Sequence, residues 1–548
     1  MDKTNYVEKV MDHLNTENFK ELTTDKTKTV EESIQRVLLQ TKTAIGESDY
    51  KTLYPSGSNP GKFYGTAKVH KIKPDEQNKI EKFPLRPIIS NIGTATHKTA
   101  QYLCNLLSPL ALSNYTVQNT NQFVNEIKNM TPPDGYVAIS FDVVSLFTNV
   151  PLRKTIDIIL RKVYDEKLIR TDIPKKNLEK LLLLCTQGTP FTFDNKMYVQ
   201  VDGVMMGSPL RPLFANIFMS ELENTIIPTL GNKVLHWKRY VDDTFAFIKP
   251  GTADEIQHVL NSFHEKIKFT YEYEQSNTIS FLDVLVTRSN DGTLQTSVYR
   301  KQTHTDVYLN WNAHAPTTWK ISTIRSLVKR AFSISSTETA LNHKLSHLQK
   351  VFTTFNNYPN KVVDNIINTE RTQTVNTLNE EDQPLENNET VTLTLPYAGQ
   401  KGELLMKKMK KTVTDALNNP NNKVQVIYNT KKLSSNFPVK DKTNPHHQHN
   451  VVYHAECPEP NCSSNYTGQT KCRLLKRVIQ HNRTDKNSHL LKHSSSNNHH
   501  RIWMEDFKIL GSGYKSNFKR KISEALFIKE KKPDLNVQKD AYTLKLYH

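Results

Sequence analysis

The sequence has too few cysteines for a disulfide-stabilised protein. It contains five cysteines in 548 residues, and an odd count in a reducing compartment argues against a disulfide framework. Cys104 and Cys185 lie in apolar contexts, which predicts buried core positions. Cys457 and Cys462 are separated by four residues, and this is the only cysteine spacing that suits a metal site.

Long apolar segments are also missing. No stretch approaches the roughly 18 apolar residues that cross a bilayer, and the N-terminus lacks the apolar region of a signal peptide. The most apolar short run, Leu181–Leu184, is bracketed by Lys180 and Cys185 and fits a buried helix or strand. We therefore expect an intracellular protein, and 548 residues are too many for one compact core, so several domains are expected.

Negative charge is in short supply. The chain carries 73 Lys or Arg residues against 55 Asp or Glu residues, which leaves a formal net charge of +18. Half of this excess lies in residues 451–548, which hold 18 basic and 9 acidic side chains. Such an imbalance favours a polyanionic partner. A generally basic, soluble surface is the alternative.

Hydrophobic periodicity divides the chain into five segments. Residues 1–62 are predicted to be helical, 63–298 to combine helices with an antiparallel sheet, and 299–366 to be helical again. Residues 367–450 are predicted to be a linker, in which 368–390 are polar and acidic, and 451–548 form a last unit. Within the linker, a basic cluster suits nucleic acid, a nuclear address or a solvated helix face: Lys407, Lys408, Lys410 and Lys411.

Three acids form a candidate catalytic set. Asp142 lies in the middle of an apolar strand, where an uncompensated carboxylate would be costly. Asp242 and Asp243 lie between two apolar segments, where a tight hairpin would project them from the edge of a sheet. Two-metal nucleotidyl transfer gives a reason for this clustering, because Mg²⁺ prefers carboxylate oxygens. Taken singly, an ordinary solvated hairpin and a hydrogen-bonded core aspartate are the alternatives.

These motifs resemble those of reverse transcriptases. Tyr240–Asp243 resembles the catalytic box of that class, and Phe141–Pro151 resembles the partner motif of Penelope-like retroelements in particular. Four further segments resemble blocks of the same family in family order: Phe63–Lys71, Pro84–Ser90, Met206–Leu210 and Phe281–Val284. The resemblance implies an α+β multidomain fold with the right-hand polymerase parts: fingers, a palm with an antiparallel sheet, and a helical thumb. The family pattern is entered late, so residues 1–62 are expected to be truncated fingers.

The resemblance also implies roles for individual residues. Asp142, Asp242 and Asp243, with Val143 beside them, would hold two Mg²⁺ ions. Lys68 and Arg86 would grip the triphosphate, and ordinary surface charge is their alternative. Phe147 would exclude a ribose 2′-hydroxyl, which makes the product DNA. The remaining nucleotide-pocket positions would lie around a glycine turn that lets backbone approach closely: Gln200, Gly207, Ser208 and Pro209.

The segment after the sheet resembles the polymerase thumb. Tyr299–Lys301 and a helix around Lys320–Arg330 would close over primer and template. Basic residues beside Tyr308 and Trp311 suit a groove that follows a nucleic-acid backbone. A packed helical subdomain with a solvated basic face is the alternative.

The last segment resembles GIY-YIG endonucleases, which are small α/β domains. Val451–Tyr453 and Tyr466–Thr470 resemble the two strands that name the family, although Thr467 and Cys472 depart from its pattern. The resemblance implies that Tyr453 and Tyr466 orient a water and that Arg477 holds a phosphate. It also implies one Mg²⁺ at Glu524. His481 follows Arg477 at i,i+4, which puts both on one helix face.

A second metal set lies inside this segment. Cys457 and Cys462, with His493 and His499 further along, could form a tetrahedral Zn²⁺ site. Penelope-like elements often carry such a set, and the resemblance therefore favours a structural zinc. Free thiols beside a histidine-rich loop are the alternative.

Together these features predict an RNA-directed DNA polymerase that extends a 3′-hydroxyl exposed by its own endonuclease. Its expected partners are an RNA template, a DNA primer or target duplex, and deoxynucleoside triphosphates, with no membrane. Action on chromosomal DNA would take place in the nucleus after cytoplasmic synthesis. The rival hypothesis is a truncated or inactive retroelement remnant that only binds nucleic acid, and the three intact carboxylates argue against it.

Overall fold

The computed structural model describes residues 3–68, 83–128, 130–133, 135–201, 204–205, 207–301, 303–377, 390–416, 423–430, 443–514 and 516–537. The helices are α1 (Lys3–Leu14), α2 (Thr27–Gln40), α3 (Lys42–Ile45), α4 (Glu47–Leu53), α5 (His97–Leu107), α6 (Thr120–Lys128), α7 (Leu146–Asn149), α8 (Leu152–Leu160), α9 (Lys175–Thr186), α10 (Leu210–Ile226), α11 (Ala253–Ser262), α12 (Thr317–Ile334), α13 (Glu338–Lys350), α14 (Asn360–Thr377), α15 (Gly399–Ala416), α16 (Leu474–Ile479), α17 (His489–Ser496) and α18 (Asn517–Lys531).

The strands lie between these helices, singly or in consecutive groups. They are β1 (Phe19–Leu22), β2 (Gly61–Ala67), β3 (Leu85–Ser90), β4 (Val137–Val143), β5 (Pro190–Phe193), β6 (Lys196–Gln200), β7 (Val234–Tyr240), β8 (Asp243–Ile248), β9 (Phe269–Tyr273), β10 (Thr278–Phe281), β11 (Val284–Arg288), β12 (Leu294–Val298), β13 (Thr390–Pro396), β14 (Lys423–Asn429), β15 (Val451–Glu456), β16 (Asn465–Thr470) and β17 (Phe507–Gly511). The mixed α/β character predicted from the sequence is confirmed.

The chain folds into two compact units that do not follow sequence order. Unit 1 contains Met1–Leu112, Phe147–Phe218 and Val439–His548, and unit 2 contains Ser113–Leu146 and Met219–Pro438. Among the described residues, no helix is both long and apolar enough to cross a bilayer.

Unit 1 contains a five-stranded sheet with the order β1-β6-β5-β2-β3. Strands β2 and β5 are parallel, whereas the other neighbours are antiparallel. Aromatic rings hold its core, with Phe63 and Phe191 stacked at 5.8 Å between centroids. The expectation that residues 1–62 are helical is wrong at Phe19–Leu22, because this segment pairs with β6 and packs the partly buried Phe19 against the aromatic core.

Helix α9 contains the apolar run Leu181–Leu184 and Cys185, for both of which the sequence gives a prediction. The apolar run Leu181–Leu184 lies in this helix, so the helical alternative is correct. Cys185 is fully buried at its end, as predicted, whereas Cys104 in α5 is only half-buried.

Unit 1 also contains the three-stranded antiparallel sheet β16-β15-β17. Its core combines the inward side chains of β15, including the fully buried Tyr453, with Leu474 and Val478 of α16 and Phe507 of β17. Helix α18 packs on β16 and β15. Helices α16 and α18 therefore lie against this sheet, where polar side chains of helices and strands can come together.

Unit 2 is built around the antiparallel sheet β7-β8-β4-β9. Strand β8 is central and apolar, and Phe245, Phe247 and Ile248 are fully buried. A second antiparallel sheet, β10-β11-β12, packs its Phe281 against Phe123 and Phe245. The predicted antiparallel sheet is thus present, with β4 and β8 at its centre and β7 at one edge.

The rest of unit 2 is a helical bundle followed by a small strand-helix-strand element. Helices α12, α13 and α14 share an apolar core that includes Ile324, Val328 and Phe352. The predicted linker is partly structured, because α14 continues to Thr377 and β13, α15 and β14 follow it. Strands β13 and β14 are parallel, as a crossover through α15 requires. Residues 378–389 of that linker lie outside the described residues.

Candidate functional sites

The three candidate polymerase acids meet on two neighbouring strands. Asp142 of β4 is directly opposite Asp243 of β8, and directly opposed residues of antiparallel strands point to the same face of a sheet. Asp242 precedes Asp243 in the turn of the β7-β8 hairpin, and its carbonyl oxygen accepts a 3.3 Å hydrogen bond from the Val143 amide. The predicted hairpin is present, and it brings residues a hundred positions apart together.

The turn of this hairpin is strained. Tyr240 pairs with Asp243, which leaves Val241 and Asp242 as a two-residue turn. Val241 has φ of +59°, a conformation that two-residue hairpin turns usually reserve for glycine or asparagine. A β-branched residue in this region costs on the order of 1–3 kcal/mol and persists only where the surroundings enforce it.

A buried ion pair enforces it. Arg239 and Glu223 are both 0% exposed, and the guanidinium binds both carboxylate oxygens of Glu223, at 2.6 and 3.0 Å. Arg239 also donates to the carbonyl oxygen of the strained Val241 at 3.0 Å. Trp237 donates its indole N–H to Glu223 at 3.0 Å. Val241, which precedes Asp242 and Asp243, is therefore held in its conformation by a buried, fully desolvated network of charged groups.

Burial and like charges both disfavour the ionised form of Asp243. Burial, aided by repulsion from the charges of Asp242 and Asp142 and opposed by a hydrogen bond from the Leu282 amide, raises the pKa of Asp243 to about 6. Ser140 and the Leu282 amide each approach one carboxylate oxygen of Asp243 at 3.5 Å. A cation bound to the three carboxylates would offset this repulsion, and an all-oxygen donor set is what Mg²⁺ requires.

A polar cleft of about 510 Å³ opens beside these acids. Asp142 and Asp243 form one wall, and the side chains of β9 and β10 and of Tyr299 and Lys301 form the rest. Its size and polar character are suitable for a charged substrate.

The predicted nucleotide-pocket residues lie in unit 1. Lys68 follows β2, its amide bonds to the Pro84 carbonyl at 2.8 Å, and Arg86 is exposed on the paired strand β3. Gln200 is half-buried at the end of β6, opposite Phe19. The structure thus brings Lys68 and Arg86 to the same end of one hairpin. Val69–Lys71 and Met206, which belong to the matching family blocks, lie outside the described residues.

The glycine turn before α10 has no room for a side chain. Gly207 has φ of +110°, and a Cβ there would lie 2.2 Å from the Ile89 carbonyl oxygen. Ser208 is buried and accepts a 3.3 Å hydrogen bond from the Leu210 amide, which caps α10, while Pro209 is half-buried between them. The close approach that the glycine permits in this structure is to the backbone of β3, and its approach to a primer or nucleotide stays a prediction.

Phe147 lies under an unexpected cation. The guanidinium carbon of Arg211 lies 5.2 Å from the centre of the Phe147 ring. Arg211 is 6% exposed, and burial lowers its pKa to about 10. Within the described part of the chain it forms no ion pair, and its Nη1 has no hydrogen-bond partner.

A second polar cluster lies on the C-terminal sheet. The Tyr453 hydroxyl is 2.7 Å from His481 Nε2, and Arg477 donates to the same hydroxyl at 3.4 Å. The Tyr466 ring lies 5.5 Å from the His481 ring. His481 belongs to a π-helical turn after α16 rather than to a continuous α-helix, yet both predicted side chains reach Tyr453.

Burial controls the charges of this cluster. It lowers the pKa of His481 to about 3, assisted by the charge of Arg477, so the imidazole is neutral and has one donor and one acceptor nitrogen. Burial also raises the pKa of Glu524 to about 7, against the charge of Arg520 and a backbone hydrogen bond from Gln469. Burial raises the pKa of Tyr466, which the charge of Arg477 lowers and the charge of Glu524 raises.

A glycine provides the space that this cluster needs. A Cβ on Gly468 would lie 2.6 Å from the Tyr466 ring and 2.8 Å from the Tyr453 hydroxyl. Such contacts are too short for any side chain, so only glycine fits between the two tyrosines.

Two cysteines and two histidines of the C-terminal segment, which are residue types that can bind a metal, lie close together. One ligand atom from each of Cys457, Cys462, His493 and His499 lies within 4.8 Å of the others. The two sulfur–nitrogen distances are 3.5 Å, and the two imidazole nitrogens are 3.3 Å apart. Tetrahedral Zn²⁺ with the usual bond lengths separates such pairs by about 3.5 and about 3.3 Å. The donor set and its spacing therefore fit zinc.

Sequence reasoning missed the residues that support these sites. Glu223 gave a weak signal, as one of two acids inside a largely apolar helix, and Arg239 gave one as the residue preceding the acid box. Ser488 bonds His481 Nδ1 at 2.8 Å and Asp485 pairs with Arg477 at 3.3 Å. Neither of these two had any distinguishing pattern.

Comparisons with known proteins give a partial family match. The model of the animal helix-turn-helix domain matches residues 307–368, which include α12, α13 and the start of α14. No curated protein matches the sequence.

Solved polymerases are distantly similar. Telomerase of Candida albicans in complex with a telomeric RNA fragment has a TM-score of 0.43, with 11% identity over 69% of this chain and 65% of that one. Apo telomerase of Candida tropicalis has a TM-score of 0.38, with 14% identity over 76% and 69%. The BmCPV RNA-dependent RNA polymerase has a TM-score of 0.34, with 12% identity over 64% and 31%. The chain spans 52% of the truncated Candida tropicalis telomerase, which it also matches.

Proposed function

We propose that the chain is a nucleic-acid polymerase of the reverse-transcriptase type, copying RNA into DNA for a Penelope-like retroelement. One observation carries the proposal. Asp142 and Asp243 are directly opposite on neighbouring strands, and Asp242 is held in the turn between β7 and β8. A polar cleft begins at the carboxylates of Asp142 and Asp243.

Each acid has a distinct part in the proposed reaction. Asp142 and Asp242 would hold both Mg²⁺ ions with Val143 beside them, and Asp243 would support the site. The two ions would activate the primer 3′-hydroxyl and neutralise the triphosphate. The buried Arg239–Glu223 pair would keep the acid turn in place, because it binds the Val241 carbonyl.

Asp242→Asn tests this proposal. It keeps the size of the side chain and removes the charge that metal binding needs, so Mg²⁺-dependent extension of a DNA primer on an RNA template should fall by at least about 10³-fold. Binding of the primer and template should remain. Asp157→Asn, which changes an exposed acid of α8, is the matched control and should extend normally. Extension by Asp242→Asn at the normal rate would refute the proposal.

We propose a second activity, DNA nicking of the GIY-YIG type, for the C-terminal cluster. The observation that favours it is the convergence of Tyr453, Arg477 and His481 at one hydroxyl group. The neutral His481 can accept a hydrogen bond from the Tyr453 hydroxyl, whose oxygen would then orient a water, and Arg477 would hold the phosphate. Glu524 would bind one Mg²⁺. Nicking of duplex DNA should vanish in Arg477→Ala and in Glu524→Ala, and unchanged nicking would reject this assignment.

The four-residue cluster at Cys457 would hold a structural Zn²⁺ ion. The interatomic distances at these residues support this proposal. Metal analysis of the purified chain should find one zinc per molecule, lost in Cys462→Ser. A chain without zinc, whose C-terminal part resists proteolysis equally with and without chelator, would contradict it.

A further inference from the structure

The strand-helix-strand element of residues 390–429 carries a cleft that neither proposed active site uses. The cleft measures about 430 Å³. Its walls are Lys407 and Lys410 of α15, Tyr428 and Gln425 of β14, and Thr318 of α12. It therefore combines two cations and a ring on one concave surface.

The walls of this cleft are held in place. Met406 and Val424 are 4% and 3% exposed and form its apolar floor. Glu403 accepts hydrogen bonds from the Thr317 amide at 2.7 Å and from the Thr317 hydroxyl at 2.9 Å. The His314 ring packs against Tyr397, whose own ring lies 5.6 Å from Tyr428. The helix, the strand and the start of α12 thus form one preformed surface.

The charge of the surface is not neutralised. Lys407, Lys408, Lys410 and Lys411 are exposed, and none of them pairs with an acid in the described residues. Among the residues that the structure describes, Glu403 is the only acid that lines the cleft, and each of its carboxylate oxygens accepts a hydrogen bond from Thr317. Two lysines that line a cleft together with a tyrosine ring have the character of a surface that tracks a phosphate backbone and stacks a base.

We propose that this cleft binds single-stranded nucleic acid, with phosphates on Lys407 and Lys410 and a base against Tyr428. The proposal goes beyond the polymerase and nuclease sites and does not depend on either activity. Single-stranded RNA and single-stranded DNA share the recognised chemistry. Which of the two is bound is decided by comparing oligonucleotides of the same sequence.

The first test is the salt dependence of binding. Fluorescence anisotropy of a labelled 20-nucleotide RNA, and of the matching DNA, is measured with the full chain in the absence of nucleotides. The double variant Lys407→Gln with Lys410→Gln should bind roughly tenfold more weakly, and the slope of log K against log salt should fall by about 1.4, since each phosphate contact on a single strand contributes about 0.7.

The matched control is Lys176→Gln with Lys180→Gln, two exposed lysines of α9. It removes the same charge and should leave affinity and slope unchanged. Equal slopes of log K against log salt for the two double variants would overturn the proposal. An equal loss of affinity in both variants would also overturn it, because it would indicate a diffuse charge effect. Because no synthesis or cleavage is measured, failure here is distinct from failure of the proposed functions.

The second test concerns the ring. Tyr428→Leu should weaken binding at least about fivefold without changing the salt slope, because stacking carries no counterion term. An RNA with 4-thiouridine should crosslink to the segment that contains Tyr428. Unchanged affinity of Tyr428→Leu together with crosslinks elsewhere would overturn the stacking contact.

Discussion

At the scale of single residues, buried charges stand out. Arg211 is buried against Phe147 without an ion pair in the described residues, whereas Arg239 is buried with a complete set of partners. Transfer of a charge from water to the interior is expensive unless it is paired and hydrogen-bonded. The two arginines should therefore respond to substitution in opposite directions.

Arg211→Met should stabilise the protein. Methionine keeps the packing on Phe147 and removes an uncompensated charge, so the free energy of unfolding should rise by about 1 kcal/mol or more. Urea denaturation measures the change, and Arg86→Met, at an exposed position, should leave stability nearly unaltered. A loss of stability in Arg211→Met would mean that the guanidinium has an anionic partner.

Glu223→Gln should destabilise the protein. It leaves Arg239 buried without a counter-charge, which costs about 3–5 kcal/mol. The double variant Glu223→Leu with Arg239→Met removes both charges and should recover much of that loss. If the Glu223→Gln variant is as stable in urea as the parent protein, the Arg239–Glu223 ion pair is not buried away from water, which contradicts the structure.

At the scale of elements, the sequence predicts strands and hairpins better than it predicts their conformation. The apolar runs around Asp142 and around the Asp242–Asp243 pair predicted β4 and the hairpin β7-β8, because alternation and turn chemistry are local signals. The positive φ of Val241 was not predictable, since no local preference favours valine there. It depends on Arg239 and on Glu223, which lies 16 residues earlier.

The short strands that form by tertiary pairing were the least predictable. Phe19–Leu22 lacks a clear strand pattern and becomes β1 because β6 offers its edge. The polar and lysine-rich composition of the segment that contains β13, α15 and β14 predicts a linker, whereas the structure has a strand-helix-strand element there.

Gly468 in β16 gives a test of the nuclease cluster at this scale. Gly468→Ala would force Tyr466 and Tyr453 apart, because its Cβ would overlap both. Nicking should fall at least about tenfold, as a displacement of about 1 Å can cost 10²-fold, while primer extension should be unchanged. A Gly468→Ala protein that nicks at the parent rate would show that the tyrosines do not act together.

At the scale of the whole molecule, chain order misleads. Residues 439–548 belong to the same compact unit as residues 1–112, and composition gives no sign of it. Arg473, for example, donates to the Ser58 carbonyl at 2.7 Å, across 415 positions of sequence. Asp142, Asp242 and Asp243, by contrast, are predicted together by the motifs in which they lie, although only the fold explains why they meet.

The central claim is that a divalent metal binds where β4 meets the β7-β8 hairpin. Iron-mediated cleavage tests it most directly: Fe²⁺ replaces Mg²⁺ in the intact protein, and ascorbate with peroxide then cuts the backbone beside the bound ion. The account predicts cuts near residues 142 and 242, competed away by excess Mg²⁺ and lost in Asp142→Asn. Cuts that avoid both segments, or that persist unchanged in Asp142→Asn, would contradict it.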